Sequence, residues 1–166
     1  MKYTEKEGPT YKQVLFVCDA NTCRSPMAEY LLKYMLSEHD YDSQIHVCSG
    51  GIATHARDDS AFSLDAKLTI KSNGIPFSED FRSTDLNWHK DVIENSDLIL
   101  TMTYLQKSKL MEFDEVKGKE VFTLQEFAGE PGDIEDPSGK GDSVYDQTFI
   151  VLKTCMEKAL KRIIPV

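Results

Sequence analysis

Val14-Leu15-Phe16-Val17 is a short, uninterrupted apolar run rich in β-branched and aromatic residues. It has no polar side to turn toward water. Such a run reads as a strand covered on both faces, the environment of a parallel sheet with helices on either side. A helix follows directly. After Ser25 and Pro26, Met27, Tyr30, Leu31, Tyr34 and Met35 fall at i, i+3, i+4, i+7 and i+8, one apolar face ready to cover the sheet.

The same alternation continues down the chain. Ile45 to Cys48 reads as a second strand, Ser60 to Ser72 as a helix stopped by Asn73-Gly74, and Leu86 to Asn95 as a weaker helix. Leu98 to Met102 is another buried strand, Tyr104 to Met111 a short helix, and Glu120 to Phe122 a further strand. The Gly/Pro/Asp-rich stretch from Gly129 to Asp142 is too polar for core. From Ser143 a long amphipathic helix closes the chain, with Tyr145, Thr148, Leu152, Cys155, Met156, Ala159, Leu160 and Ile163 on its apolar stripe. The expected fold is α/β: a single domain over residues 13–166, with a doubly wound parallel sheet of about four strands flanked by helices. Residues 1–12, polar and aperiodic, read as a tail without a core role. In such sheets ligands bind beyond the carboxyl ends of the strands, which directs attention to residues 18–24.

Composition excludes several classes. With 40% hydrophobic and 28% charged residues over 166 positions, the chain has the makeup of one globular domain. Nineteen basic against 28 acidic residues give a net charge of −9, which argues against binding nucleic acid or anionic membranes. No apolar run reaches the roughly 18–20 residues of a membrane span, and the first residues lack a signal-peptide core, so a cytoplasmic protein is expected. Cys18, Cys23, Cys48 and Cys155 are too few and scattered for a disulfide framework or zinc knuckle, and the histidines show no metal-binding spacing. No metal or cofactor is implied.

The segment Cys18-Asp19-Ala20-Asn21-Thr22-Cys23-Arg24-Ser25 carries the chemistry. A loop wrapped ahead of a helix turns its backbone N–H groups inward and adds the positive helix end, making an anion-binding nest. That field favours a thiolate, so Cys18 is a candidate nucleophile with a depressed pKa. Ser25 can donate to its sulfur. Arg24 offers a planar fork for two phosphoryl oxygens. Departure of a leaving group needs an acid, and Asp136, aimed by Pro137 in the polar loop, is the candidate, with Asp133 and Glu135 as unaimed neighbours.

VLFVCDANTCRSPMAE, followed far downstream by Asp136-Pro137, resembles the low-molecular-weight protein tyrosine phosphatases. The likeness runs from Val14 to about Arg162 and includes Ser49-Gly50-Gly51 and VFTLQEFAGEPGDIEDP. It implies a protein phosphatase with a Cys-x5-Arg-Ser phosphate loop. Cys18 would form a phosphocysteine, Arg24 grip the phosphoryl group, Asn21 hold the strained turn and Ser25 stabilise the thiolate. Asp136 would act first as acid and then as base, and Asp19, Ala20, Thr22 and Cys23 would complete the phosphate-binding loop. Phosphorylated proteins are the implied substrates, with inorganic phosphate or vanadate as ligands and a monomer as the working form.

Two departures bear on the substrate. Thr22 stands where the tyrosine phosphatases usually carry an aliphatic residue, as in bacterial relatives that act on phosphoarginine. Ser138-Gly139 replaces the paired aromatics that wall a phosphotyrosine slot in animal members. Phosphotyrosine and phosphoarginine both stay open. Asp19 would either raise the Cys18 pKa or draw in a cationic substrate. Phe81-Arg82-Ser83 replaces the His-x-Ser type segment of many members. Cys23 would pair with Cys18 in a protective disulfide or pack as a small hydrophobe. Cys48 and Cys155 read as core, and Trp88 and Phe81 as pocket-mouth or packing residues. Arsenate reduction on the same fold lacks a relay thiol between Cys48 and Cys155, and a phosphocarrier or inert phosphate reader has no use for Arg24 together with Asp136.

Overall fold

The computed structural model describes residues 7–166. Gln13–Cys18 forms β1, and its side chains alternate between two cores. Val14 and Phe16 pack with Met27, Leu31, Ile70 and Leu152, whereas Leu15 and Val17 pack with Ile93, Ile99 and Leu110. This is why the run shows no polar position: each face of the sheet has its own helical cover. Arg24–Glu38 (α1) crosses to His46–Gly51 (β2), which pairs parallel to β1 with Val14 beside Val47. Leu64–Ser72 (α2) and Lys90–Glu94 (α3) lead back to Leu98–Thr101 (β3) on the other side of β1. Tyr104–Leu110 (α4) then connects to Glu120–Thr123 (β4), followed by Leu124–Ala128 (α5) and Asp142–Ile163 (α6). The sheet is all parallel, in the order β2-β1-β3-β4.

All eight stripe residues read for the closing helix are buried, together with Phe149. Several boundaries differ from expectation. β2 begins one residue later and runs on through Ser49-Gly50-Gly51, because the glycines let it pass close under neighbouring groups: a Cβ at Gly50 would lie 2.5 Å from the Leu86 side chain. α2 starts only after Ser63, whose side chain caps the Ala66 N–H. The first dozen residues do have a core role at Tyr11, which is buried with its ring edge-on to Phe127 at 6.2 Å between centroids. The Thr10 N–H also donates to the Ile163 carbonyl at 3.0 Å. Residues 1–6 of that segment lie outside the described residues. The 129–142 loop sends Ile134 into the core, anchored by its N–H on the Met102 carbonyl at 2.9 Å. Trp88 is 82% exposed and does not line the cleft that holds Cys18. Phe81 joins Tyr30 and Phe62 in a ring cluster, Cys155 is buried, and Cys48 is only half-buried.

Candidate active site

The connection leaves β1 toward β2, and β3 lies on the other side of β1, so a crevice opens at the carboxyl ends between β1 and β3. Cys18 is the last residue of β1 and Arg24 the first of α1, leaving only Asp19 to Cys23 to make the turn. Backbone bonds hold that turn. The Ile52 and Ala53 N–H groups donate to the carbonyls of Cys18 and Asp19 at 3.0 and 3.1 Å, and the Ser63 N–H donates to the Thr22 carbonyl at 2.9 Å. Gly51 lies directly beneath: a Cβ there would sit 2.7 Å from the Asp19 carbonyl oxygen and 3.0 Å from the Ala20 carbonyl carbon.

Asn21 adopts a left-handed backbone, φ 60°, which asparagine tolerates better than most residues. Its buried amide is used at both ends. Oδ1 accepts the Thr84 N–H at 2.9 Å, and Nδ2 donates to Ser25 Oγ at 2.9 Å and Ser49 Oγ at 2.8 Å. Ser49 Oγ donates to Glu29 Oε1 at 2.7 Å, and Glu29 Oε2 accepts from Lys33 Nζ at 2.8 Å. Ser25 Oγ completes the chain 2.9 Å from Cys18 Sγ, which also accepts the Asn21 N–H at 3.3 Å. A continuous polar line thus runs from Lys33 at the surface through buried Glu29 to the sulfur. It gives each member a partner, as buried polar groups require.

Burial is the largest influence on Cys18 and pushes its thiol above the ordinary range. The Arg24 charge, the Ser25 hydroxyl and the backbone N–H groups of Ser25 and Asn21 pull it down. The positive end of α1 acts with those donors. The groups expected to stabilise a thiolate are all in place around the sulfur, and removal from water opposes them. Arg24 is itself buried. NH1 donates to the Ile134 carbonyl at 3.0 Å and NH2 meets Asp19 Oδ2 at 3.3 Å, so the guanidinium has one fixed pose. Asp19 Oδ1 accepts from Gln106 Nε2 at 3.1 Å.

Asp136 faces solvent beside buried Pro137, with Oδ1 accepting the Ser138 N–H at 3.0 Å. Partial burial raises its pKa, but the Ser138 N–H and hydroxyl together with Arg24 and Lys140 hold it below the usual carboxylate range. Cys18, Asp19, Ala20, Thr22, Cys23 and Arg24 line one small cleft with Asp136. Asn21 and Ser25 stand behind it as supports. His55 and Ser138 also line the cleft; Ser138 stands where the sequence reading looked for an aromatic wall, whereas sequence reasoning missed His55 and the contributions of Gln106, Glu29 and Ser49. Cys23 is a free thiol, as is Cys18, and its Sγ lies 3.1 Å from the Tyr145 hydroxyl and 3.5 Å from Ser138 Oγ. It links the phosphate loop to α6 and to the Asp136 loop. Tyr104 lies at the start of α4, half-exposed, its N–H donating to Asp133 Oδ1 at 2.9 Å. A larger cavity between α1 and α6, lined by Leu31, Met35, Phe149 and Leu160, contains none of these groups.

Comparison with known proteins agrees with this geometry. Residues 13–164 match the family of low molecular weight phosphotyrosine protein phosphatases. A protein-arginine-phosphatase of Geobacillus stearothermophilus is 36% identical over 153 residues, covering 91% of this chain and 95% of that protein. The low molecular weight protein-tyrosine-phosphatase PtpB of Staphylococcus haemolyticus is 35% identical over 140 residues, covering 82% and 89%. Among solved structures, the low molecular weight protein tyrosine phosphatase of T. tengcongensis superposes with a TM-score of 0.82 at 31% identity, covering 92% of this chain and 99% of that one. The YwlE arginine phosphatase of G. stearothermophilus gives 0.76 at 37% identity, covering 90% and 92%. With the family matched over residues 13–164 and relatives of about 35% identity covered over most of their length, the chain belongs to the low molecular weight phosphotyrosine protein phosphatase family.

Proposed function

We propose that this protein removes phosphate from phosphorylated protein side chains through a phosphocysteine on Cys18. In the first step Cys18 sulfur, as thiolate, attacks phosphorus. The S–P bond forms, the bond to the leaving oxygen or nitrogen breaks, and that atom takes a proton from Asp136. In the second, Asp136 carboxylate takes a proton from water, whose oxygen attacks phosphorus and releases the thiolate and inorganic phosphate. Arg24 and the loop N–H groups bind the equatorial oxygens on which charge is spread. Ser25 and Asn21 keep the sulfur and the loop in place.

The observation that carries this reading is the 2.9 Å approach of Ser25 Oγ to Cys18 Sγ in a cleft shared with fixed Arg24 and Asp136. Cys18→Ser is expected to lose turnover of an aryl phosphate while still binding vanadate. Activity persisting in that variant would remove the mechanism.

Phosphoarginine is the substrate we favour. Thr22 offers the cleft a hydroxyl, and its lining contains no Phe, Tyr or Trp to hold an aryl ring. Phosphotyrosine is the second reading, supported by the likeness to PtpB. We further assign the protein to the cytoplasm as a monomer. No helix among the described residues is long and apolar enough to cross a membrane.

A further inference from the structure

We propose that Asp19 is a specificity-determining residue that reads positive charge on the group leaving phosphorus. This rests on the phosphatase reading above and adds to it. Asp19 directly follows the nucleophile, and its position is set on every side. Its carbonyl accepts the Ala53 N–H at 3.1 Å and bars any side chain at Gly51. Its Oδ1 accepts from Gln106 Nε2 at 3.1 Å, and Gln106 is buried, its Oε1 taking the N–H groups of Met102 and Thr103 at 3.0 Å each. The carboxylate is therefore held against the cleft by a rigid arm from the first turn of α4.

Oδ2 touches Arg24 at 3.3 Å, yet the side chain remains 40% exposed. A carboxylate has about four acceptor directions, so two are left for a further donor. Asp136 faces the same small cleft, but it is neutral while it holds the proton for the leaving group, so Asp19 is the charged carboxylate there. A carboxylate beside a binding place for a dianion opposes it by like-charge repulsion. The opposition becomes attraction when the substrate carries a cation bonded to its phosphoryl group. A guanidinium does so, and its planar N–H pairs suit carboxylate oxygens. A phenol offers no such compensation. Asp19 thus disfavours aryl phosphates and inorganic phosphate and favours a phosphorylated guanidinium.

The test compares kcat/KM of the full chain and Asp19→Asn on phosphoarginine and phosphotyrosine peptides, together with the affinity for inorganic phosphate. We expect the ratio of the phosphoarginine to the phosphotyrosine value to fall about tenfold or more, and phosphate to bind several-fold tighter. Raising the salt concentration should erode the selectivity of the native chain more than that of the variant. Equal falls on both peptides, with weaker phosphate binding, would show that Asp19 only positions Arg24 and would overturn this inference alone. An unchanged ratio of the two activities would overturn it as well. Native protein inactive on both peptides would remove the phosphatase reading and this inference with it.

Discussion

Asn21 and Asp136 illustrate how much one residue's surroundings decide. Asn21 is the loop member whose backbone enters the left-handed region, and its side chain ties the turn to β2, to α1 and to Thr84. The residue type was legible in the sequence, but its partners came from positions 28 and 63 residues away, which no local pattern reveals. Asp136 was legible because a proline follows it. Its acidity was not, since that depends on the Ser138 donors and on Arg24 across the cleft. A general acid works only while protonated, so under the proposed mechanism the descending limb of kcat/KM tracks the Asp136 pKa in the free enzyme. Ser138→Ala removes the hydroxyl that helps depress that pKa. The pKa should rise and the limb should move to higher pH on the same aryl phosphate. An unmoved limb would mean that another group supplies the proton.

At the level of elements, the β2 end and the α1 start together shape the loop. Sequence periodicity located both elements but stopped β2 at Cys48, because Ser49-Gly50-Gly51 carries no hydrophobic signal even though it is strand. Its glycines answer to close approach, which appears only when the loop backbone is in view. α5 went unread although Thr123 and Glu126 form a capping box with both reciprocal bonds made. A five-residue helix offers too little periodicity to stand apart from the strand whose last residue caps it. Gly51→Ala is expected to displace the Asp19–Ala20 backbone, lowering kcat and vanadate affinity by about tenfold or more, since small misplacements of reacting groups are costly. Unfolding should stay cooperative with a modest fall in Tm. Native activity in this variant would show that the loop does not need its floor at this height.

For the whole molecule, the parallel order β2-β1-β3-β4 gathers the phosphate loop, the Gln106 arm and the Asp136 loop along one rim. The layered architecture was legible from alternating strand and helix signals. The seating of the first described segment was not, because a single tyrosine between polar neighbours gives no period. Tyr11 is buried against Phe127, and burial with the nearby Glu120 pushes its pKa up to about 12. Tyr11→Ala should destabilise the fold by about 2–4 kcal/mol and lower Tm by roughly 5–15 °C, leaving kcat unchanged. Thermal unfolding followed by circular dichroism, with turnover measured at low temperature, checks both halves of that statement.

The hydrogen bond between residues 10 and 163 places the entry to β1 beside the exit from α6, and β1 runs from there toward the cleft. The entry to β1 and the exit from α6, where a tether would be joined, therefore lie on the side opposite the reacting thiol. Fixed to a bead or a sensor surface by either route, the molecule would present its opening outward, accessible to a substrate as large as a folded protein.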